Sequence, residues 1–357
     1  MFYIKVFLVT IVLSLVSTYV LKIIAQKIGL TDKPDKERKF HKKETALLGG
    51  AAIFFTFFIV LYFFRSHLLV GDLNYVHWLG VFFGALILMI GGFLDDKFDL
   101  SATWQIIFPV LAILAVIASG INIEKISNPL GGGFIYLDAI KIPLGEVFGQ
   151  ITYFVIFSDL LIFFWLIGMM YTTKLLDGVD GLVTGVTSIG ALIIFFFTVS
   201  ERYYQPDIAL ASIVLAAACL GFLVFNWHPA SIFLGEGGSL FLGFALGVIA
   251  IISGGKFAVA LLVMVIPILD VFWTIVRRLS GGKNPFKFAD RGHLHFKILD
   301  TGIGARKTVL IYYVVSLTFG LSALFLQSRG KVYALSLLTL VMIFLLIFFY
   351  LGDKNKV

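Results

Sequence analysis

Residues 152–199 read TYFVIFSDLLIFFWLIGMMYTTK, then LLDGVD, then GLVTGVTSIGALIIFFFTV: two apolar runs of helix length joined by a polar knot that holds Asp177 and Asp180. Each run approaches the roughly 20 residues an α-helix needs to cross a bilayer core of about 30 Å. Similar runs lie near 4–25, 48–64, 77–94, 103–120, 207–226, 238–253, 257–276, 308–326 and 332–351, so the sequence predicts about eleven transmembrane helices in one all-α polytopic membrane domain spanning 1–357. Composition agrees, with 60% apolar and only 14% charged residues in 357, a balance that excludes an ordinary soluble domain. The first run is too long for a signal peptide, lacks a small-residue cleavage site and reads as an uncleaved span.

Lysines and arginines set the orientation. With the N-terminus outside, the cytoplasmic side receives eight basic residues at 22–43, Lys97, Lys174, eight at 277–307, and Lys354 with Lys356. That is 20 of the 28, as the positive-inside rule expects. The C-terminus is then cytoplasmic. The same distribution accounts for the net charge of +7 without nucleic acid, because the cations sit in interfacial loops. The single cysteine, Cys219, excludes a disulfide framework or a cysteine metal site. The longest outside loop, 121–150, carries turn chemistry at Asn128-Pro129 and Gly131-Gly132-Gly133 and predicts a small extracytoplasmic hairpin.

Acidic residues are costly at mid-bilayer, so their positions carry information. Asp95 and Asp96 end the third span; Asp177 and Asp180 end the fifth; Glu236 precedes the eighth; Asp290 follows the ninth. All fall on the side already assigned to the cytoplasm. Alone, Asp95-Asp96 reads as a solvated helix end and Asp177-Gly178-x-Asp180-Gly181 as turn chemistry. Together they offer carboxylates for Mg²⁺. Gly235-Glu236-Gly237-Gly238 opens a span, where backbone N–H groups and the helix dipole can cradle phosphate and Glu236 can reach a metal. His293 and His295, near Arg291 and Lys297, form a cationic, donor-rich patch suited to a pyrophosphate. His41 stands in the first basic loop before Gly49-Gly50. This set indicates phosphoryl transfer between a soluble diphosphate and a lipid phosphate. An ion-coupled transporter would place its acids at mid-membrane, where only Asp270 lies.

In order along the chain, Asp32 and Pro34, Arg38-Lys39-x-His41, Gly49-Gly50, Asp95-Asp96, Asp177-Gly178-x-Asp180-Gly181, Asn226-x-x-Pro229, Gly235-Glu236-x-Gly238-Ser239, Asp270 and Asp290-Arg291-Gly292-His293-Leu294-His295 resemble the polyprenyl-phosphate N-acetylhexosamine-1-phosphate transferases, the superfamily of MraY and WecA. The single His-Leu-His is closer to the WecA/TagO branch. The resemblance implies a Mg²⁺-dependent enzyme, with Mn²⁺ as a substitute, at the cytoplasmic membrane. Its partners would be the bilayer, a UDP-sugar and polyprenyl phosphate, and the protein would be a homodimer. It further implies that Asp95 and Asp96 handle the lipid phosphate, Asp177 and Asp180 shape the metal–pyrophosphate site, and Glu236 with Asp177 binds the metal. His293 and His295 would hold the diphosphate and Asn226 the nucleotide. The donor is expected to be UDP-GlcNAc, with a phospho-MurNAc-pentapeptide transferase, a lipid or nucleotide-sugar transporter, or an inactive scaffold as alternatives. Three positions depart from the family pattern: Lys174 stands where Asn is usual, Glu236 where Asp is usual, and Gln105 where Lys is common. Lys174 is expected to supply the cation for phosphate that the uncharged Gln105 cannot, a coupling that a K174A/Q105K cycle measures.

Overall fold

The computed structural model describes residues 1–32, 44–71, 73–128, 133–147, 150–254, 257–280, 282, 292–326 and 328–354. Its helices are α1 (Phe2–Ile28), α2 (Gly49–Phe63), α3 (Arg65–Leu68), α4 (Tyr75–Phe98), α5 (Ala102–Ala118), α6 (Ile156–Leu176), α7 (Leu182–Thr198), α8 (Pro206–Asn226), α9 (Glu236–Ile252), α10 (Phe257–Ser280), α11 (Leu294–Asp300), α12 (Ala305–Phe325) and α13 (Ser328–Lys354). Every expected span falls on one of them. The helices α1, α4, α6, α8, α10 and α12 are long and apolar enough to cross a membrane on length and composition. The apolar helices α2, α5, α7 and α9 are shorter, at 15 to 17 residues. The chain is an all-α, multi-pass membrane protein.

Side-chain size decides which helices lie inside. In α8 the small residues Ala209, Ala211, Ala216, Ala217, Ala218 and Cys219 are fully buried, and the helix packs on α1, α2 and α7. In a bilayer, where lipid is as apolar as leucine, close backbone approach rather than water exclusion drives helix packing. The helix α9 is buried from Gly237 to Ile251 and touches α2, α4, α6, α7 and α10. Two crossings show why glycine is needed there: a Cβ on Gly92 of α4 would stand 2.0 Å from Gly237 N, and one on Gly50 of α2 would stand 2.1 Å from Gly238 Cα. Large residues such as Leu8, Val12, Phe164 and Val224 point outward.

The helix α10 contains Pro267, which cannot donate to the carbonyl one turn back, that of Val263. Ser316 of α12 replaces the missing donor, its hydroxyl reaching Val263 O at 2.9 Å.

Among the described residues three small antiparallel ribbons accompany the helices. In the first loop, β1 (Thr31–Asp32) pairs with β2 (Thr45–Ala46), so that Thr31 faces Ala46 and Asp32 faces Thr45. The connection between α5 and α6 differs from the expected single hairpin. Two hairpins follow each other there, β3 (Lys125–Ser127) with β4 (Phe134–Tyr136), then β5 (Lys141–Val147) with β6 (Gln150–Val155). Strand β6 takes the first residues of the run expected to be helical from 152, and α6 begins at Ile156. A short apolar run is compatible with either state. Pairing with β5 decides it, and Asp159 Oδ2 accepts from Val155 N–H (2.8 Å) at the junction.

Candidate active site

The frame of the site is a set of backbone hydrogen bonds between two loops. The segment before α9 lies against the start of α2: Phe233 N–H donates to Ala46 O (2.8 Å), while the Gly49 and Gly50 N–H groups donate to Phe233 O (2.9 Å) and Leu234 O (2.8 Å). These bonds satisfy N–H groups that a helix leaves open in its first turn. At the end of that segment Gly235 takes φ +73°, and a Cβ there would lie 2.5 Å from Leu47 O and 2.6 Å from Asp96 Oδ2. Both carboxylate oxygens of Asp96 accept from Glu236 N–H at 3.1 Å. Asp96 of α4 therefore caps α9, where a negative charge also meets the positive end of the helix dipole. The expected phosphate cradle is thus partly filled by protein: Gly235 makes room for Asp96, and Gly238 is a packing residue facing Gly50.

A polar chain links the acids across four helices. Asp95 Oδ1 accepts from Leu100 N–H (2.9 Å) and from Gln105 Nε2 (3.0 Å). Gln105 Oε1 in turn accepts from Lys174 Nζ (3.1 Å), and Lys174 is ion-paired to Glu236. All three residues that depart from the family pattern meet here. Lys174 and Glu236 are each about four-fifths buried, with side-chain exposures of 19% and 20%.

Asp177 follows α6 directly and its N–H closes the last turn onto Thr173 O (3.1 Å). Its surface is accessible yet it is densely surrounded by protein, which places it in a recess. Burial, then the like charges of Glu236, Asp180 and Asp96, raises its carboxyl to about 8. Asp96 lies within electrostatic range of Glu236, Asp95 and Asp32. The acids that the sequence distributes over four loops form one crowded group.

Asp180 Oδ2 accepts from His228 Nδ1 (2.7 Å) and from Ala230 N–H (3.0 Å). Asn226 is buried, and both ends of its amide are engaged: Oδ1 accepts from Gly181 N–H (3.0 Å) and Thr184 Oγ1 (3.2 Å), while Nδ2 donates to Ile232 O (3.0 Å). Asn226 fastens the Asp177–Gly181 turn to the loop before α9. Tyr313 of α12 donates to Gly181 O (2.5 Å) from the other side.

His293 and His295 are brought together, with rings stacked at 5.5 Å, but they face protein. His293 Nδ1 donates to Asp270 Oδ2 (3.1 Å) and Leu294 N–H to Asp270 Oδ1 (2.9 Å). Among the described residues neither nitrogen of the fully buried His295 has a hydrogen-bond partner, Asp270 Oδ2 standing 3.9 Å from Nδ1, and a Cβ on Gly178 would stand 2.7 Å from Nε2. Burial lowers His295 to about 4, and the attraction of Asp270 does not offset it. The expectation of a cationic histidine patch is corrected at this position: His295 is neutral at pH 7. His41 and Arg291, the remaining expected substrate contacts, lie outside the described residues.

Sequence reading missed His228 and Tyr313. His228 stands inside the Asn226-x-x-Pro229 motif and was open to notice; Arg306 Nε also donates to its carbonyl (2.9 Å). Tyr313 is 132 residues from the glycine it touches, and no local pattern marks it.

The profile of Glycosyl transferase family 4 matches residues 78–254, the stretch that holds Asp95, Asp96, Lys174, Asp177, Asp180, Asn226 and Glu236. The chain is 30% identical to a probable undecaprenyl-phosphate N-acetylglucosaminyl 1-phosphate transferase of Bacillus subtilis, over 96% of this chain and 88% of that protein. It is also 30% identical to an undecaprenyl-phosphate alpha-N-acetylglucosaminyl 1-phosphate transferase of Thermotoga maritima, over 88% of this chain and 87% of the relative. A phospho-N-acetylmuramoyl-pentapeptide-transferase of Oceanobacillus iheyensis is 31% identical over 80% and 86%. Near-complete coverage and motifs placed in one cluster lead to the same conclusion: the chain belongs to glycosyl transferase family 4, the superfamily of polyprenyl-phosphate N-acetylhexosamine-1-phosphate transferases.

Proposed function

We propose that this protein transfers GlcNAc-1-phosphate from UDP-GlcNAc to a polyprenyl phosphate, undecaprenyl phosphate in the first instance, on the cytoplasmic face of the inner membrane. The observation that carries the reading is the gathering of Asp95, Asp96, Asp177, Asp180 and Glu236 at neighbouring helix ends, with Lys174 paired to Glu236. The names of the Bacillus subtilis and Thermotoga maritima relatives supply the sugar and the lipid. A lipid phosphate oxygen attacks the β-phosphorus of the donor, the bond from that phosphorus to the bridging oxygen breaks, and UMP leaves with that oxygen. The nucleophile already carries charge, so alignment and charge neutralisation supply most of the rate.

Asp95, fixed through Oδ1, keeps Oδ2 for the lipid phosphate or its proton. Asp96 is held by α9 and sets the distance between the two loops. His228 and Ala230 orient Asp180 beside the recess of Asp177. The residues also fit a divalent cation. Mg²⁺ takes one or two carboxylates and completes its shell with phosphate oxygens and water, although among the described residues no three His, Cys, Asp or Glu side chains converge as a complete ligand set. Glu236 and Asp177 would hold it, and Mn²⁺ would substitute. When bound, the metal neutralises charge on the diphosphate; the mutual repulsion of the acids around Asp177 gives it a place.

The test is UMP release by detergent-purified protein given undecaprenyl phosphate, Mg²⁺ and a panel of donors including UDP-GlcNAc and UDP-MurNAc-pentapeptide. UMP with UDP-GlcNAc, lost in Asp95→Asn and Glu236→Gln, is the expected result. UMP with the pentapeptide donor alone moves the assignment to the activity named for the Oceanobacillus iheyensis relative. No UMP from any donor, with folded protein, refutes the transferase and leaves a transporter or scaffold.

A further inference from the structure

Lys174 holds an unusual position for a cation at this site. Its ammonium is ion-paired to Glu236, hydrogen-bonded to Gln105 Oε1 at 3.1 Å, and placed 5.7 Å from the centroid of the Tyr171 ring. Gln105 is itself fixed by Asp95 at 3.0 Å. The lysine is thus held from three sides by residues of α5, α6 and α9. The backbone that carries the Glu236 side chain is anchored too, because its N–H is held by Asp96. A carboxylate that is paired to an ammonium at this range has one cation already, and a dication approaching it meets a like charge.

We infer that Lys174 is an intramolecular competitor for the metal site: its ammonium occupies Glu236 in the resting enzyme, and a divalent cation reaches that carboxylate only by displacing it. The inference rests on the phosphotransferase reading with Glu236 as a metal ligand. Released from Glu236, Lys174 keeps its hydrogen bond to Gln105 and so stays beside Asp95. There its charge faces the lipid phosphate. Metal loading and acceptor binding are coupled through one side chain, and the enzyme's affinity for the metal is set low by its own lysine. Gln105 is then a positioning residue, which holds the displaced ammonium on the acceptor side.

The experiment is Mn²⁺ binding followed by electron paramagnetic resonance, which counts free ion and needs no turnover. It uses the full-length protein in detergent without substrates, as wild type, Lys174→Met, Lys174→Gln, Lys174→Arg and Glu236→Gln. The Gln variant keeps a donor for Gln105 without charge, so the test stands if Met fails to fold. Expected are Mn²⁺ binding by wild type that Glu236→Gln loses, binding about tenfold tighter or more in the Met and Gln variants, and no tightening in Arg, whose charge persists. Wild-type binding that Glu236→Gln abolishes, with Kd in Lys174→Gln equal to or weaker than wild type, overturns the competition while leaving Glu236 as a ligand. Binding that Glu236→Gln leaves unchanged, or none in any variant, removes the metal ligand itself and the inference with it.

Discussion

Asn226→Ala separates two roles that this residue can have. If Asn226 fastens the Asp177–Gly181 turn to the loop before α9, truncation strands the buried backbone groups that it satisfies. Gly181 N–H and Ile232 C=O each lose a bond of 3.0 Å, while the Thr184 hydroxyl can turn to a carbonyl of its own helix. A buried polar group left without a partner costs about 1–3 kcal/mol. The two backbone groups together therefore cost about 2–6 kcal/mol. The assay is thermal and denaturant unfolding in detergent, followed by tryptophan fluorescence, since Trp227 is the adjacent residue. UMP release is measured well below the transition. The expected outcome is a clear loss of stability with a fall in kcat, because the turn that bears Asp177 and Asp180 loosens. Unfolding within about 0.5 kcal/mol of wild type, with KM for the UDP-sugar alone raised, refutes the reasoning: Asn226 would then touch the nucleotide directly.

Close packing and crowded charge each give a further expectation. Gly92→Ala places a methyl about 2 Å from backbone of α9 and should abolish monodisperse protein in size-exclusion chromatography, whereas Gly168→Ala on the outer face of α6, with nothing within 4 Å of the new Cβ, should match or slightly exceed wild type in melting temperature. The raised carboxyl of Asp177 gives a stability change with a defined sign. The folded state binds its proton more tightly than the unfolded chain, so without divalent cations this group's stabilising contribution is present below about pH 4 and is lost as pH rises to about 8. Asp177→Asn should flatten that decline in a melting-temperature series from pH 4 to 8.5; an unchanged slope would show that the neighbouring acids do not act on Asp177.

Membrane class, the positions of the long apolar helices and the acids at their ends were legible in the amino-acid order alone, whereas the short helices α3 and α11 were not. Apolar runs of span length leave a chain few alternatives in lipid, where backbone groups must bond within the segment. The apolar runs accordingly fall on helices, of which α1, α4, α6, α8, α10 and α12 are long and apolar enough to cross a membrane. The same physics made Asp95, Asp96, Asp177, Asp180 and Glu236 conspicuous, since charge survives only at the ends of such runs or in pairs. Spacing along the chain could not say which of them meet. It took the folded arrangement to show that Asp96 caps α9 from 140 residues away, that Lys174 joins Glu236 to Gln105, and that Asn226 ties Gly181 to Ile232. Packing also buried the His295 ring and lowered its basicity within the expected donor-rich patch, and strand pairing took residues 152–155 from helix to strand. Local propensity and hydropathy act over one or two turns and fix what each segment becomes. Partners and protonation depend on which segments the packing of small residues such as Gly50, Gly92, Gly237 and Gly238 allows to approach, and that is a property of the folded whole.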